Sequence, residues 1–180
     1  MGKCFRQKPV KLVMSIIYKD RGLCQDAEEM LKNKYGVLEE ADRDLDFDYT
    51  DYYESEMGSG LKRKLICFKD LVDKENIAEI KLESNKIEDS FKVNGKRPVN
   101  VDPGYVTEAK LVLLTTKDYT HRVYIGMSIF AELTLYYMDG AFKAWPWTYP
   151  DYASLEMSEY FNQVREFYMG DLKRKGLREF

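Results

Sequence analysis

The residues of this chain that are best suited to bind a ligand are concentrated between positions 97 and 122. Basic side chains attract anions, whereas carboxylates and amides bind hydroxyl groups or a divalent cation. We therefore expect a site for a small anionic ligand such as a nucleotide, with Mg²⁺ as the candidate cofactor and Asp102 as its ligand. The candidate ligand-binding residues are Asn100, Asp102, Gly104, Lys110, Lys117, His121 and Arg122, together with Asp51, Glu54 and Trp145 from other motifs.

The elements around Asp102 are predicted to present these groups together. A strand over 97–101 leads into a turn and places Asn100 and Asp102 on one side, about 6.6 Å apart at roughly 3.3 Å per residue. The next two residues, Pro and Gly, suit the centre of a type II turn, and Thr107 then caps a helix to about residue 116. The free amides of that helix start, with Lys110, would bind an anion. The alternative is that Asp102 only starts the turn by accepting backbone amides.

The sequence does not reveal a reaction. His121 is the only histidine, so a three-histidine zinc site is excluded, and acid–base chemistry would need a carboxylate partner such as Asp118. The alternative is a structural or surface histidine. Residues 58–64 lack the spacer and the Gly-Lys-Ser/Thr ending of a phosphate-binding loop. Their basic residues either line a binding cleft or lie at the solvated end of a hairpin. No catalytic residue is assigned, and whether the protein is an enzyme stays open.

An acidic segment over 39–56 offers possible partners for the later cations. Three alternating aspartates at 44–48 resemble the start of a calcium loop, but Tyr49 stands where glycine is required and Ser55 where the closing glutamate is required. The alternating aspartates fit a solvated strand face. Asp51, Glu54 and Glu56, close to the Gly-Ser-Gly interruption at 58–60, are the better site candidates of this segment.

An aromatic motif at 145–152 is too apolar for an ordinary solvated loop. Trp145 could belong to a stacking platform for a base, or the motif could form a small core under the last helix. A different function follows from the same residues. The aromatic surface would then form the interface of a homo-oligomer or of a complex with a partner protein, without catalysis.

Composition limits the class of protein. The chain has 180 residues and a formal charge of −3, which fits one domain over 1–180 and argues against nucleic acid or an anionic membrane as partner. Three cysteines without a C-x-x-C spacing favour a reducing compartment, so we expect a cytoplasmic protein. The apolar run at 10–17 is far too short to span a membrane.

Hydrophobic periodicity predicts an α+β fold. We expect one domain with a mixed or antiparallel sheet, a split β-α-β first half, and a C-terminal hairpin followed by a helix. The predicted strands are 11–18, 44–49, 61–72, 97–101, 121–127, 129–138 and 141–145, and the predicted helices are 25–35, two short pieces within 73–93, 107–116 and one from Ser154. The second and third strands are expected to form a hairpin with a loop of about six residues. Asn94-Gly95 and Asp139-Gly140 are predicted turns.

Five segments together resemble a known family. They are residues 8–13, 51–58, 97–105, 115–122 and 145–152. The combination is similar to DUF4416, a family of short prokaryotic proteins of unknown function, some members of which are labelled GTP-binding. The resemblance implies that these segments are hallmarks of the family, and it implies no reaction or catalytic residue. In this chain Thr116-Lys117-Asp118 lacks the spacer residue of a guanine-reading Thr-Lys-x-Asp motif.

Overall fold

The computed structural model describes residues 7–177, except for the side chains of Asp51 and Ser55. Over this range the chain forms one antiparallel sheet with strand order β2-β3-β1-β4-β5-β7-β6, and β8 pairs with β7. The strands are β1 Val10–Tyr18, β2 Arg43–Phe47, β3 Leu61–Val72, β4 Val99–Val106, β5 Lys110–Thr115, β6 Arg122–Gly126, β7 Ile129–Met138 and β8 Ala141–Ala144. The helices are α1 Arg21–Tyr35, α2 Glu54–Met57, α3 Ile77–Ser90 and α4 Leu155–Arg174. The predicted α+β class is confirmed.

The first half of the chain is the predicted split β-α-β arrangement, and it occurs twice. Helix α1 connects β1 to β2, with β3 lying between those strands, and α3 connects β3 to β4, with β1 between them. Strand β1 is buried over its whole length, as its continuous apolar run predicts for a strand covered on both faces.

Helices cover both faces of the sheet. Leu12, Met14 and Ile16, which alternate along β1, pack in one core with residues of α1 and α3. Val13 points to the opposite face and packs in a second core with α4. Helix α4 begins where predicted, because the side chain of Ser154 accepts a hydrogen bond from the amide of Met157.

A buried ammonium group on the sheet forms an ion pair with α4. Lys11 Nζ on β1 lies 2.6 Å from Glu39 and 2.7 Å from Asp171 of α4, and it donates to the carbonyl of Lys69 at 3.0 Å. The side chain is fully buried, and a buried charge needs such partners to offset its lost hydration. The contact therefore has a structural role.

The predicted helix over 107–116 is wrong. Residues 110–115 form strand β5, and β4 continues through the predicted type II turn to Val106. The Thr107 hydroxyl does accept a backbone amide, from Ala109 at 3.3 Å, but within a tight turn closed by Thr107 N–H donating to the Lys110 carbonyl. Gly104 serves strand packing, because a Cβ there would lie 2.7 Å from both Leu113 Cδ2 and the Val112 carbonyl oxygen.

Two further expectations need correction. The connection between β2 and β3 is not a short loop, since it spans residues 48–60 and contains a 3₁₀ turn and α2. Helix α3 is continuous through Asn85, which was expected to start a second helix. The three late strands and the turn at Asp139-Gly140 are confirmed, and both turn residues have positive φ, 52° and 84°.

Candidate functional site

A cavity lies beside a gap in the sheet. Strands β4 and β5 pair only where Gly104–Val106 face Leu111–Leu113, so β5 does not pair with the first part of β4. A cavity of about 620 Å³ lies beside this opening, between Asn100 and Asp102 of β4 and Thr115 of β5. Its volume falls within the usual range of small-molecule sites.

The strand register explains which side chains form the cavity floor. Ile17 of β1 lies between Arg63 of β3 and Asn100 of β4, and two residues away Ser15 lies opposite Asp102. Residues directly opposite one another in paired strands project to the same face. Arg63, Asn100 and Asp102 therefore converge although they are far apart in sequence.

Aromatic side chains form the cover of the cavity. Most come from the long β2–β3 connection and from the segment that precedes α4, and they are Phe47, Tyr49, Tyr52, Tyr53, Tyr149 and Tyr152. Tyr53 packs edge-on against Tyr52 at 5.0 Å and Phe47 at 5.8 Å between ring centroids. Burial raises the pKa of Tyr53 above its usual range, so this phenol is a neutral hydrogen-bonding group.

Asp102 is held by a lysine and an amide. Lys81 Nζ of α3 donates to Oδ1 at 3.1 Å and to the Val101 carbonyl at 3.2 Å, while Asn100 Nδ2 donates to Oδ2 at 2.6 Å. Burial would raise the pKa of Asp102, but the attraction of Lys81, the hydrogen bonds and Arg63 together lower it. Asp102 is therefore an ionised carboxylate with donors on both oxygens.

This arrangement does not suit a metal ion at Asp102. A Mg²⁺ bound there would have to displace the Lys81 ammonium group from a carboxylate that it neutralises. Among the side chains that the structure describes, which do not include Asp51, no group of three or more His, Cys, Asp or Glu is placed to hold a metal ion. The geometry thus offers no protein-built Mg²⁺ site at this carboxylate.

A second charged cluster connects α2 and α3 through Arg97, which precedes β4. Arg97 contacts Glu88 at 2.7 Å and Glu56 at 2.9 Å, and its backbone N–H donates to Glu56 at 3.1 Å. Glu88 is 1 % exposed and also accepts the Val101 amide at 2.8 Å. Arg97 lowers the pKa of Glu56, whereas burial raises that of Glu88. The acidic segment therefore does meet the later cations, through Glu56.

Arg63 is a buried cation with an unused donor. It is 5 % exposed, Nη1 lies 2.5 Å from Asp151, and its guanidinium carbon lies 4.5 Å and 5.0 Å from the ring centroids of Phe47 and Tyr152. Its Nε–H is buried and has no hydrogen-bond partner within the described part of the chain. Alternation along β3, where Leu61, Arg63 and Leu65 share a face, is the signal that could have identified it.

The two remaining lining cations are Lys117, which is exposed at the rim, and Arg122, whose side chain is 9 % exposed. Lys117 Nζ donates to the Tyr52 hydroxyl and lies 4.0 Å from the centroid of that ring. Arg122 donates to Glu132 at 2.8 Å, to the Lys117 carbonyl at 3.1 Å and to the Tyr149 hydroxyl at 3.3 Å. Among the described residues Lys117 forms no ion pair with a carboxylate, which distinguishes it from the other cations here.

The lining charges are otherwise matched. The cavity is lined by five basic and five acidic residues. Each acidic residue has a cationic partner, in the pairs Lys81–Asp102, Arg97–Glu88, Arg63–Asp151, Arg122–Glu132 and Lys92–Asp89. Lys92 does not line the cavity, which leaves Lys117 as the unmatched lining cation of the described structure.

The structure brings together four of the ten candidate binding residues. Asn100, Asp102, Lys117 and Arg122 line the cavity. The side chain of Asp51 lies outside the described part of the structure.

The other five candidates do not line it. Gly104 packs against β5, Lys110 is exposed at the start of β5, and Glu54 is exposed on α2. His121 lies 3.2 Å from Glu132 and stacks on Trp147, which in turn stacks on Trp145 with ring centroids 5.1 Å apart.

A family model covers the part of the chain that forms the cavity. The family model described as domain of unknown function DUF4416 matches residues 8–168. The chain belongs to this family. A search of curated proteins found no match, and neither did a search of solved structures. All eight strands lie within the part matched by the DUF4416 model. No helix in the described range is long and apolar enough to cross a bilayer.

Proposed function

We propose that this DUF4416 protein is cytoplasmic and binds a small anionic ligand of nucleotide type in the cavity between β4 and β5. The observation that carries the proposal is a cavity lined by Lys117, which has no carboxylate partner among the described residues, and by Arg63, whose buried Nε–H has no hydrogen-bond partner there. The free thiols of Cys24 and Cys67 agree with a reducing compartment.

These two groups favour a ligand with acceptor atoms. A buried N–H without a partner costs about 1–3 kcal/mol, and native proteins rarely leave such groups unsatisfied. A ligand oxygen or ring nitrogen would satisfy Arg63 Nε, and a phosphate would pair with Lys117. The tyrosines of the cover supply ring faces and hydroxyl groups for a planar, polar ligand.

Mg²⁺ would accompany the ligand rather than occupy a site built by the protein. Both oxygens of Asp102 already accept hydrogen bonds. Mg²⁺ is commonly bound through substrate phosphates and only one or two carboxylates. Titrations are therefore needed both with and without the metal.

Calorimetric titration with a panel of nucleotides tests the proposal. A charge-assisted hydrogen bond contributes about 1.5–3 kcal/mol, and because Lys117 is exposed we expect the lower end, so Lys117→Ala should weaken binding about tenfold. Lys110→Ala is the matched control, because Lys110 is an exposed lysine at the other end of β5 and does not line the cavity. Absence of binding heat from every nucleotide, with and without Mg²⁺, would contradict the proposal.

A second candidate function is self-association through the edge strand β6. Val123 and Tyr124 are 68 % and 60 % exposed on that strand. Trp147, which is 38 % exposed, stacks on His121 just before the strand. Exposed apolar edges favour pairing with another strand, and a lysine there opposes it. A dimer that appears in light scattering and is abolished by Val123→Lys would support this function. A monomer at every accessible concentration would exclude it.

A further inference from the structure

We infer that the cavity selects ligands with a single anionic group, the class of nucleoside monophosphates, and binds that group at Lys117 on the rim. The inference rests on the proposed function and narrows its ligand class. It follows from how the charges and the uncharged donors are distributed between the rim and the interior.

The interior offers charge pairs rather than free charges. The buried side chains of Arg63, Lys81 and Arg122 each contact a carboxylate, at 2.5 Å, 3.1 Å and 2.8 Å respectively. Phosphate groups inserted among these pairs would meet carboxylates as closely as cations. Like charges at short range in a poorly solvated site are strongly unfavourable.

The interior also holds hydrogen-bonding groups that suit the uncharged part of a ligand. Arg63 Nε–H lacks a partner, and no hydrogen bond of the Asn85 side chain occurs within the described structure. An amide both donates and accepts, so Asn85 can bind the carbonyl or amino edge of a planar ring. Arg63 then needs only one acceptor atom.

The rim is the part suited to an anion. Among the side chains that the structure describes, Lys117 has no carboxylate partner. Lys117 donates a hydrogen bond to the Tyr52 hydroxyl, and Arg122 donates one to the Tyr149 hydroxyl. A single phosphate could accept from the ammonium and from both phenols. Further phosphates would meet lining cations that are already paired with carboxylates, such as Arg122 with Glu132, and the described lining holds no second unmatched cation.

Affinities of the intact protein for matched ligands test the inference. The probes are adenosine, guanosine, cytidine and uridine with their mono- and triphosphates, titrated in EDTA and again in Mg²⁺. In EDTA we expect the best-bound monophosphate to bind about tenfold more tightly than its nucleoside and than its triphosphate. Lys117→Ala should abolish the advantage of the monophosphate and leave nucleoside affinity within about twofold, whereas Lys110→Ala should change neither.

The outcomes distinguish failure of the single-anion inference from failure of the proposed ligand-binding function. Triphosphate binding in EDTA at least as tight as monophosphate binding would overturn the single-anion inference and keep the proposed function. An equal loss of nucleoside and monophosphate affinity in Lys117→Ala would overturn the rim position of the phosphate. Failure of every probe to bind would overturn the proposed function itself.

Discussion

Replacing Lys81 by methionine should destabilise the fold, because this lysine neutralises the carboxylates beside the cavity. Its side chain is 6 % exposed and lies 3.1 Å from Asp102 and 4.0 Å from Glu88. Removing one partner of a buried ion pair costs about 3–5 kcal/mol. The Asp102 side chain is 32 % exposed toward the cavity, so we expect a loss near the lower end, about 3 kcal/mol.

Urea denaturation followed by tryptophan fluorescence measures this loss. For a chain of this size, about 3 kcal/mol corresponds to a decrease in Tm of roughly 6–12 °C. Lys86→Met is the matched control on the same helix, because Lys86 is 71 % exposed and forms a surface ion pair with Glu83. Such a surface pair contributes at most about 1 kcal/mol. An equal effect of Lys81→Met and Lys86→Met would refute the reasoning.

The pH dependence supplies a second test of the same contact. The folded protein lowers the pKa of Asp102, so its ionisation stabilises the fold above its ordinary pKa. That contribution is lost as the pH falls through the lowered value. The stability difference between wild type and Lys81→Met should therefore be largest near neutral pH and should shrink on acidification. A difference that is constant with pH would contradict the assignment.

Two further predictions concern packing and thiol chemistry. Gly104→Ala should lower the free energy of unfolding by about 1–3 kcal/mol, because the added Cβ would lie 2.7 Å from Leu113 Cδ2 and from a backbone oxygen; urea denaturation with unchanged stability would contradict the close strand contact. Burial raises the pKa of Cys24 and Cys67 to about 12, so in a Cys4→Ser background both thiols should react with a disulfide reagent at pH 8 only after denaturation. Rapid reaction of the native protein would contradict their burial.

The strongest sequence patterns predicted the architecture. The continuous apolar run of β1 indicated a central strand, and Asp139-Gly140 indicated a hairpin, because each pattern has few structural alternatives. The split β-α-β order followed from the succession of these elements. Ser154 marked the start of α4 through its capping chemistry.

The error at residues 107–116 has a local cause. Thr107 and the Pro-Gly pair carry the residue types of a cap and a turn, but the following apolar run, Leu111 to Leu114, enters the sheet between β4 and β7. A short apolar run does not distinguish a buried strand from a buried helix segment. Pro103 is tolerated in β4 because β5 pairs with β4 only from Gly104 onward.

The sequence predicted only part of the site, because strand register and tertiary packing bring its residues together. Alternation along the chain placed Asn100 and Asp102 on one face, which is the face of the cavity. Arg63 joins them through the β3–β1–β4 register, and Lys81 reaches them from α3. Neither proximity follows from the spacing of residues along one chain segment.

The most direct test of ligand binding in the β4–β5 cavity is an NMR titration of the ¹⁵N-labelled protein with ribonucleoside monophosphates. The side-chain amides of Asn85 and Asn100 line the cavity, so both should shift at ligand concentrations that also saturate the calorimetric titration. The indole N–H signals of Trp145 and Trp147, neither of which lines the cavity, should stay unchanged. Shifts of the indole signals with unchanged Asn85 and Asn100 amides would contradict binding in this cavity.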